Sequence, residues 1–498
     1  MRKNSLFLEG DIMGHSKNER VEFYGGELIS LLPTIIYIFV AMILSLKFGF
    51  LSIENVTVGG MIGILIGFLL SKNKNIYWKT VMSGITKPGK ARLLFIFALI
   101  GCFTKLLVCG EIGNGLVWIS QIFNLSGGAF VLFVFISSMV IAVGSGAPIA
   151  ALFAVVPLFY PPGVILGANP PVLIGAIISG IFFGDNLAPS SQVTVTTAST
   201  QTSKYTDDSV NTVTVISDRM KYILIAALIS AVLFFINGGG GSLSHSAEAI
   251  GQFSNPRGLI MLIPLSVLLI ICIKTKNLFK GLSYAIITGL ITGLGFNLFN
   301  LTDIISISGN NLGGIFIEGI NSMSSIIISC IFLFGIIEVM IQGGGIKKIS
   351  NMLSNFKFTQ NPGGAEMVIA FVCMGVNMLL SGAPLPAILL IGSFANDMGQ
   401  KVDLAPSRRT YFIMGMMNNI SVIVPFCSIF IMSSMTMVQN LNAQYQFANI
   451  TLSSFSIFKC TYFCLIMTVI SILWVITGWG REFENESVIQ NNAQQEIM

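Results

Sequence analysis

Long apolar blocks constrain this chain more than any other feature of its sequence. A helix needs about 20 predominantly apolar residues to cross the hydrocarbon core of a bilayer, and about fourteen stretches of the chain are apolar over most of that length. They are continuous blocks, whereas barrel strands alternate apolar and polar residues over about ten positions. The sequence therefore predicts an all-α polytopic membrane protein with about fourteen apolar segments.

Two of the apolar segments, Pro171–Asp185 and Pro384–Asn396, are too short to span comfortably and are flanked by Pro or Gly. One of segments 147–168 and 384–396 is expected to re-enter the membrane instead of crossing it. The full predicted set is Leu28–Leu46, Gly49–Leu70, Leu93–Cys109, Gly128–Gly144, Ala147–Ala168, Pro171–Asp185, Tyr222–Asn237, Gly258–Ile273, Gly281–Asn300, Ser324–Ile341, Glu366–Leu380, Pro384–Asn396, Thr410–Met435 and Phe455–Trp479.

Charged residues make up 10% of the 498 residues, against roughly 25% in soluble domains. So few charges cannot cover the surface of a soluble protein of this size, which excludes an ordinary globular enzyme, a nucleic-acid binder and a disordered chain. The two histidines, His15 and His245, stand in polar loops, and the eight cysteines stand in apolar segments. There is no phosphate-binding loop of the ATPase type. We therefore expect no cofactor, no enzymatic activity and no metal or disulfide framework.

The few basic residues predict an orientation. They crowd into four loops, near residues 72–92, 274–280, 347–357 and 401–409, whereas loops 110–126, 301–322 and 436–454 contain no Lys or Arg. Cytoplasmic loops carry an excess of Lys and Arg. The pattern therefore predicts a multi-pass protein of the plasma membrane with both termini in the cytoplasm.

Short motifs recur along the chain and indicate an internal repeat. Gly127–Ala129 matches Gly363–Ala365 at an offset of 363 − 127 = 236, and Ser145–Pro148 matches Ser381–Pro384 at 381 − 145 = 236. A third match, Leu187–Ser190 with Leu404–Ser407, has an offset of 404 − 187 = 217, so the first copy is read as 19 residues longer. Two matches at one offset, with a third in the same order, make chance an unlikely explanation.

The charges flanking the copies show that the repeats have inverted topology. The helix that opens the first copy starts after a basic loop, whereas its counterpart starts after a loop without basic residues. Inverted repeats with discontinuous helices are typical of secondary transporters, which bind substrate near the midplane. The predicted organisation is a cytoplasmic tail over 1–27, a helix pair with a basic loop over 28–92, repeat one over 93–220, connecting helices over 221–322, repeat two over 323–435, and a final helix with a cytoplasmic tail over 436–498.

The strongest candidate site follows the short apolar helix that ends at Gly184. A carboxylate at bilayer depth costs roughly 2.5–3.5 kcal/mol on insertion scales, so it usually has a partner or a function. Pro189 breaks the helix and frees backbone carbonyls, which can replace a cation's hydration shell together with nearby side chains. The predicted ligands are Asp185, Asn186, Ser190, Ser191 and Thr194. The alternative is that Asp185 only caps a helix end at the interface.

A second group of polar residues belongs to the other copy. Asn377, Asp403, Asn418 and Asn419 are predicted to contribute to the ion or substrate site, and hydrogen bonding between helices is an equal alternative for the asparagines. Lys105 and Glu338 occupy comparable places in the two copies and are expected to pair, to gate a path or, as the favoured option, to extend outward. Glu366 is expected to mark a helix start.

The run Ser179–Pro189, which follows a Ser-Gly-Ala-Pro stretch, resembles the NhaC-type sodium/proton antiporter family over roughly residues 90 to 430. The resemblance implies an ion-transporter-superfamily fold and places Asp185, Ser191 and Thr194 on the family's polar positions. Two departures are notable. The family's second acid falls on Gln192, and the segment Tyr411–Pro425 has no acid.

The predicted function is secondary active transport by alternating access, namely Na⁺/H⁺ antiport with Asp185 as the shared proton and transient Na⁺ site. The alternative is a cation-coupled carrier of an organic acid of the malate or lactate type, or of an amino acid, because fewer carboxylates leave room for such a carrier. A membrane enzyme, a receptor and a channel are disfavoured. The expected partners are the lipid bilayer, Na⁺ and H⁺, with no nucleic acid, and a homodimer is an open option.

Overall fold

The computed structural model describes residues 20–48, 54–146, 148–188, 191–206, 208–241, 254–275, 277–308, 311–354, 357–380, 384–422, 428–445 and 452–484, together with residues 382, 425, 447 and 450. Of the residues singled out in the sequence, several lie outside the described set, namely His15, Ala147, Pro189, Ser190, His245, Ser381, Ala383 and the side chain of Gln192. The statements that follow concern the described residues.

The described chain is helical apart from one small antiparallel ribbon, in which β1 (Ser306–Ser308) pairs with β2 (Asn311–Gly313). Among these helices, seven are long and apolar enough to cross a membrane, or eight if one pair bent by 118° counts as a single span. An all-α polytopic membrane fold is therefore confirmed. The helices long enough to span are fewer than the fourteen predicted apolar segments. Several of those segments form shorter helices that belong to hairpins or to interrupted helices.

The helices of the first half are α1 (Leu32–Leu46), α2 (Glu54–Leu70), α3 (Lys74–Thr86), α4 (Pro88–Cys109), α5 (Ile112–Ile122), α6 (Gly127–Ser145), α7 (Pro148–Ile165), α8 (Pro170–Leu187), α9 (Gln192–Thr200) and α10 (Thr212–Asn237). The later helices are α11 (Leu262–Thr275), α12 (Leu278–Gly295), α13 (Leu301–Ile304), α14 (Ile315–Gln342), α15 (Gly345–Ser354), α16 (Pro362–Leu379), α17 (Pro384–Lys401), α18 (Pro406–Asn418), α19 (Ile429–Gln444), α20 (Ser454–Lys459) and α21 (Tyr462–Thr477). Short 3₁₀ turns cover Glu27–Leu31, Pro256–Met261, Lys357–Gln360 and Asn419–Val422.

The predicted single span Thr410–Met435 is wrong. The chain forms α18 up to Asn418, a 3₁₀ turn over Asn419–Val422, and then α19 from Ile429. Pro425 stands in this interruption, and a proline cannot donate the backbone hydrogen bond that continues a helix. Hydropathy alone does not detect such a break, because the residues on both sides of it are apolar.

The element order of residues 88–237 recurs over residues 315–477. Prolines begin two corresponding pairs of helices, Pro148 with Pro384 and Pro170 with Pro406, and both pairs have an offset of 236. The third sequence match, at an offset of 217, is therefore wrong, and no insertion of 19 residues separates the copies. The four matching residues of Leu187–Ser190 and Leu404–Ser407 are a chance match. The alignment of the two copies follows instead from the helices that begin at corresponding prolines.

Corresponding helices of the two copies run antiparallel where they touch. Along the α4–α14 contact, Lys90 lies beside Glu338 at 3.5 Å and Lys105 beside Glu318 at 2.7 Å, so one residue number rises as the other falls. The contact is close because a Cβ at Gly101 would come within 2.1 Å of the Gly319 carbonyl oxygen.

In the α10–α21 pair, the ring of Tyr222 lies 4.8 Å from that of Trp474, and the ring of Phe234 lies 4.9 Å from that of Tyr462. Residue numbers again rise along one helix and fall along the other. Since α4 corresponds to α14 and α10 to α21, both pairs have the antiparallel relation that inverted repeats require.

Each copy contains a helical hairpin, formed by α6 and α7 in the first and by α16 and α17 in the second, with Gly146 and Gly382 at their tips. In the first, the Gly127 amide donates to the Leu166 carbonyl at 3.0 Å, so the start of α6 lies beside the end of α7. In the second, Glu366 in α16 and Asn396 in α17 contact the neighbouring Arg408 and Arg409. Helices α7 and α17 are therefore the returning arms of the two hairpins, and the expectation that one of segments 147–168 and 384–396 re-enters the membrane stays a prediction.

The hairpins and broken helices of the two copies pack across each other. Helix α7 of the first copy packs on α19 of the second, and α17 of the second packs on α9 of the first. These contacts between the two copies enclose the points at which α8 and α18 end. The residues at these interruptions, Asp185, Asn186, Asn418 and Asn419, are buried.

Candidate functional site

Asp185 lies in the last turn of α8, and its side chain is buried. The helix ends after Leu187 because Ala188 adopts an extended conformation, with φ −73° and ψ 114°. The Ser191 hydroxyl, at the cap of α9, donates to Asp185 Oδ1 at 2.8 Å. The Asn418 amide donates to Asp185 Oδ2 at 2.7 Å. Both carboxylate oxygens are thus held, one by each repeat.

Asn186 makes a parallel contact between the repeats. Its amide nitrogen donates to Asn419 Oδ1 at 3.2 Å and to the Phe182 carbonyl at 2.7 Å. The two contacts between the copies share one separation, since 418 − 185 = 233 and 419 − 186 = 233. The carboxyl-terminal end of α8 therefore meets the carboxyl-terminal end of α18 through two consecutive side-chain pairs.

The backbone at this meeting point favours positive charge. The last carbonyls of a helix have no partner within the helix, and its carboxyl-terminal end carries a partial negative charge. Two such ends, those of α8 and α18, converge beside the Asp185 carboxylate. Asn377 of the second hairpin donates to the Met417 carbonyl at the end of α18, which brings α16 to the same place.

Several buried oxygens here accept or donate no hydrogen bond within the described residues. They include Asn418 Oδ1, Thr194 Oγ1 in the first turn of α9, and Asn377 Oδ1. Buried polar atoms in proteins nearly always have a partner, whether protein, water or ligand. Together with the carboxylate and the Ser191 hydroxyl, these atoms form an oxygen-rich ligand set of the kind that hard cations prefer.

Arg219 is a site residue that the sequence reasoning missed. It lies in α10 with its side chain fully buried, and one guanidinium nitrogen donates to Asn186 Oδ1 while the other contacts the Met414 sulfur at 3.2 Å. Its Nε has no partner among the described residues. The guanidinium interacts electrostatically with Asp185.

Helical periodicity is the feature of the sequence that identifies Arg219 as a buried residue. The predicted segment began at Tyr222, because the preceding residues are polar, but α10 begins ten residues earlier at Thr212. On that longer helix, Arg219 shares a face with Tyr222, Ile223 and Ala226, all of which are buried. A search for a helix with one apolar face therefore extends the predicted segment to include Arg219.

Asp403 does not join the site. It lies in a turn with φ 53°, and its carboxylate pairs with Lys204 Nζ at 2.6 Å with both side chains nearly half exposed. The hydrogen bond from Lys204 to Asp403 raises the pKa of this lysine above its ordinary value. Of the remaining predicted site residues, Ser190 lies outside the described set, and the structure brings the others to the two interruptions.

Two arginines assigned to a cytoplasmic loop are buried in α18. Arg408 Nε donates to Glu366 Oε1 at 2.7 Å, and neither side chain is exposed. Arg481 pairs with the other carboxylate oxygen of Glu366 at 2.8 Å. Glu366 does stand in the first turns of α16, but its role is that of a buried anchor between the second hairpin, α18 and the end of α21.

Lys105 and Glu338 do not pair with each other. Lys105 pairs with Glu318 at 2.7 Å, and Glu338 pairs with Lys87 at 2.6 Å and Lys90 at 3.5 Å. These contacts fasten α14 to α4 and to the α3–α4 junction, and a gating role for either side chain stays a prediction.

Comparison with known proteins gives similarity to solved structures alone. No protein-family model and no curated protein matches the chain. Among solved structures, the crystal structure of the Alcanivorax borkumensis YdaH transporter aligns with a TM-score of 0.33 and 13% identity, covering 79% of this chain and 90% of that one. At this TM-score the two chains are not shown to share a fold. The likeness to NhaC-type antiporters thus stays a prediction from the residues.

Proposed function

We propose that this protein is a secondary active transporter that works by alternating access, and that it exchanges Na⁺ for H⁺ at Asp185. One observation carries the proposal. The buried carboxylate of Asp185 is bonded by Ser191 of its own repeat and by Asn418 of the other repeat, at the point where the broken helices meet. A movement of one repeat against the other changes the surroundings of this carboxylate directly.

The site can hold a proton or a cation, but not both at once. With Asp185 ionised, the carboxylate, the Ser191 hydroxyl oxygen and the free Asn418 Oδ1 supply oxygens for Na⁺, after the Asn418 amide has turned. With Asp185 protonated, the carboxyl group is neutral and no longer attracts the cation. Because the two forms exclude each other, each crossing carries one of the two substrates, which is the chemistry of exchange.

Arg219 supports a second candidate function. A buried guanidinium whose Nε has no described partner, and whose other contacts are a neutral amide and a thioether, is suited to bind a carboxylate. In this alternative the protein carries an organic acid or an amino acid together with a cation. Asp185 then serves the coupling ion and Arg219 the anionic group of the solute.

Proteoliposomes that contain the purified protein and a pH-sensitive dye separate the candidates. Na⁺, Li⁺, K⁺, malate, lactate and amino acids are added in turn to a preformed pH gradient. We expect Na⁺ to dissipate the gradient and Asp185→Asn to abolish this response. The matched control is Asp403→Asn, which removes a carboxylate from the exposed pair with Lys204 and leaves exchange unchanged. Wild-type exchange in Asp185→Asn rejects the site, and dissipation only by a carboxylate, lost in Arg219→Gln, selects the alternative.

A further inference from the structure

A second polar feature lies away from Asp185, between the 3₁₀ turn before α1, helix α3 and helix α15. It is an open cavity of about 670 Å³, a volume within the range of small-molecule sites. Its wall carries the cationic side chains of Arg20, Lys79, Lys347 and Lys348, and one carboxylate, that of Glu27. Counting these groups gives a local charge of 4 − 1 = +3.

This concentration of positive charge comes from three separate parts of the chain. Arg20 precedes the first helix, Lys79 belongs to α3, and Lys347 and Lys348 belong to α15, which follows the helix opening the second repeat. Among the ion pairs of the described residues, none includes these four cations. Like charges brought together by tertiary packing repel each other, and an anion bound between them would relieve this repulsion.

The inner wall of the cavity is polar. Thr80 donates its hydroxyl to Gln342 Oε1 at 3.1 Å, and the Gln342 amide donates to Glu338 Oε1 at 2.9 Å. Ser83 lies beside them and accepts from Gln342 at 3.4 Å. Ile76, Ile341 and Met352 also line the cavity, and a hydrated anionic head group can replace water along the polar part of the wall.

We propose that this cavity binds a phosphate-bearing anion. A phosphate carries up to two negative charges and several acceptor oxygens, and so can contact lysines from different helices at once. A single carboxylate has one charge and leaves most of the local +3 uncompensated. The basic loops around the cavity are on the face predicted to be cytoplasmic, where both anionic phospholipids and soluble phosphates are present.

The cavity is connected to the moving parts of the proposed transporter. Helix α15, which supplies Lys347 and Lys348, contacts both arms of the second hairpin, α16 and α17. An anion that orders α15 therefore acts on the hairpin whose tip lies beside the central interruption. Binding at the cavity does not depend on which solute the central site carries, so the two proposals can fail independently.

The test measures thermal unfolding and binding of the full-length protein purified in a neutral maltoside detergent. One arm titrates inorganic pyrophosphate at constant ionic strength, and the other adds phosphatidylglycerol, with phosphatidylcholine as the uncharged comparison. Lys347→Gln combined with Lys348→Gln is the test variant. Lys274→Gln combined with Lys280→Gln is the control, because it removes the same charge from two exposed lysines of another basic loop.

We expect either pyrophosphate or phosphatidylglycerol to raise the unfolding temperature of the wild-type protein and of the control variant. In the test variant, which loses two lysines, the apparent affinity should fall by about thirtyfold, because each lysine near a phosphate contributes about 1 kcal/mol. A response to pyrophosphate identifies a soluble phosphate as the source, and a response only to phosphatidylglycerol identifies a lipid head group. No response in either arm, or an equal loss in the test and control variants, overturns the proposal.

Discussion

The Asn418 amide donates a hydrogen bond of 2.7 Å to Asp185 Oδ2, which joins the end of α18 to the end of α8. The two residues are 233 positions apart and belong to different repeats. Ser191, in the same repeat as Asp185, donates the hydrogen bond to the other carboxylate oxygen, Oδ1. The carboxylate is therefore held by both repeats together. A site divided in this way is sensitive to the relative position of the repeats, which is the physical requirement for alternating access.

Asn418→Ala is expected to weaken cation binding while the fold is kept. The change removes one donor to the Asp185 carboxylate and one candidate cation ligand, and a hydrogen bond to a charged group contributes about 1.5–3 kcal/mol. The apparent Na⁺ constant for pH-gradient dissipation should rise by roughly tenfold to a hundredfold. Asn440→Ala is the control, because Asn440 is exposed and bonds only the Ser322 carbonyl among the described residues. Equal effects of the two changes would contradict the assignment of Asn418.

Arg219→Gln is expected to keep Na⁺-dependent proton movement and to lower the apparent Na⁺ constant several-fold. The change removes a buried positive charge that interacts with Asp185, and so removes repulsion of the cation, while Gln can still donate to Asn186 Oδ1. Without Na⁺ the variant should unfold more easily, because the carboxylate has lost a compensating charge. Melting with and without Na⁺ measures this difference. A wild-type response to a carboxylate alone, lost in Arg219→Gln with intact folding, would instead assign Arg219 to a bound carboxylate.

Glu366→Gln is expected to destabilise the protein strongly. The change leaves Arg408, which is fully buried, and Arg481 without their carboxylate partner, and breaking a buried ion pair costs about 3–5 kcal/mol. Glu318→Gln breaks the pair with Lys105, whose members are partly exposed, and should cost about 1 kcal/mol or less. Thermal unfolding in detergent compares the two variants. Similar melting temperatures would show that the buried cluster is not an anchor of the second hairpin.

Gly382→Ala is expected to abolish transport without preventing insertion. Gly382 is at the tip of the second hairpin with φ 73°, and a Cβ there would come within 2.2 Å of the Ser421 carbonyl oxygen at the break after α18. Gly375→Ala is the control. It makes the same substitution within α16, where no atom would lie within 4 Å of the added Cβ. We expect the Gly375 variant to transport like the wild type. Normal flux in Gly382→Ala, measured at matched protein levels, would show that the tip does not need close contact.

The membrane class and most site residues could be predicted from the sequence for the same reason. A carboxylate or amide inside an apolar block is costly in a bilayer, so Asp185, Asn418 and Asn419 stand out without any structure. Arg219 was missed because polar residues before Tyr222 concealed the first turns of α10. Asp403 was included because of a four-residue match, although the helix starts place it outside the site.

The sequence by itself determined that the fold is that of an all-α polytopic membrane protein, that two halves are related, and that a carboxylate stands at the end of an apolar segment. These properties follow from local hydropathy and from the position of charges, which depend on residues close together in the chain. Only the tertiary structure decided that α6 and α7, and α16 and α17, form hairpins, that α7 and α8 correspond to α17 and α18 at an offset of 236, and that Asp185 meets Asn418. Contacts across more than 200 residues depend on how helices pack, and hydropathy does not encode which apolar faces will meet.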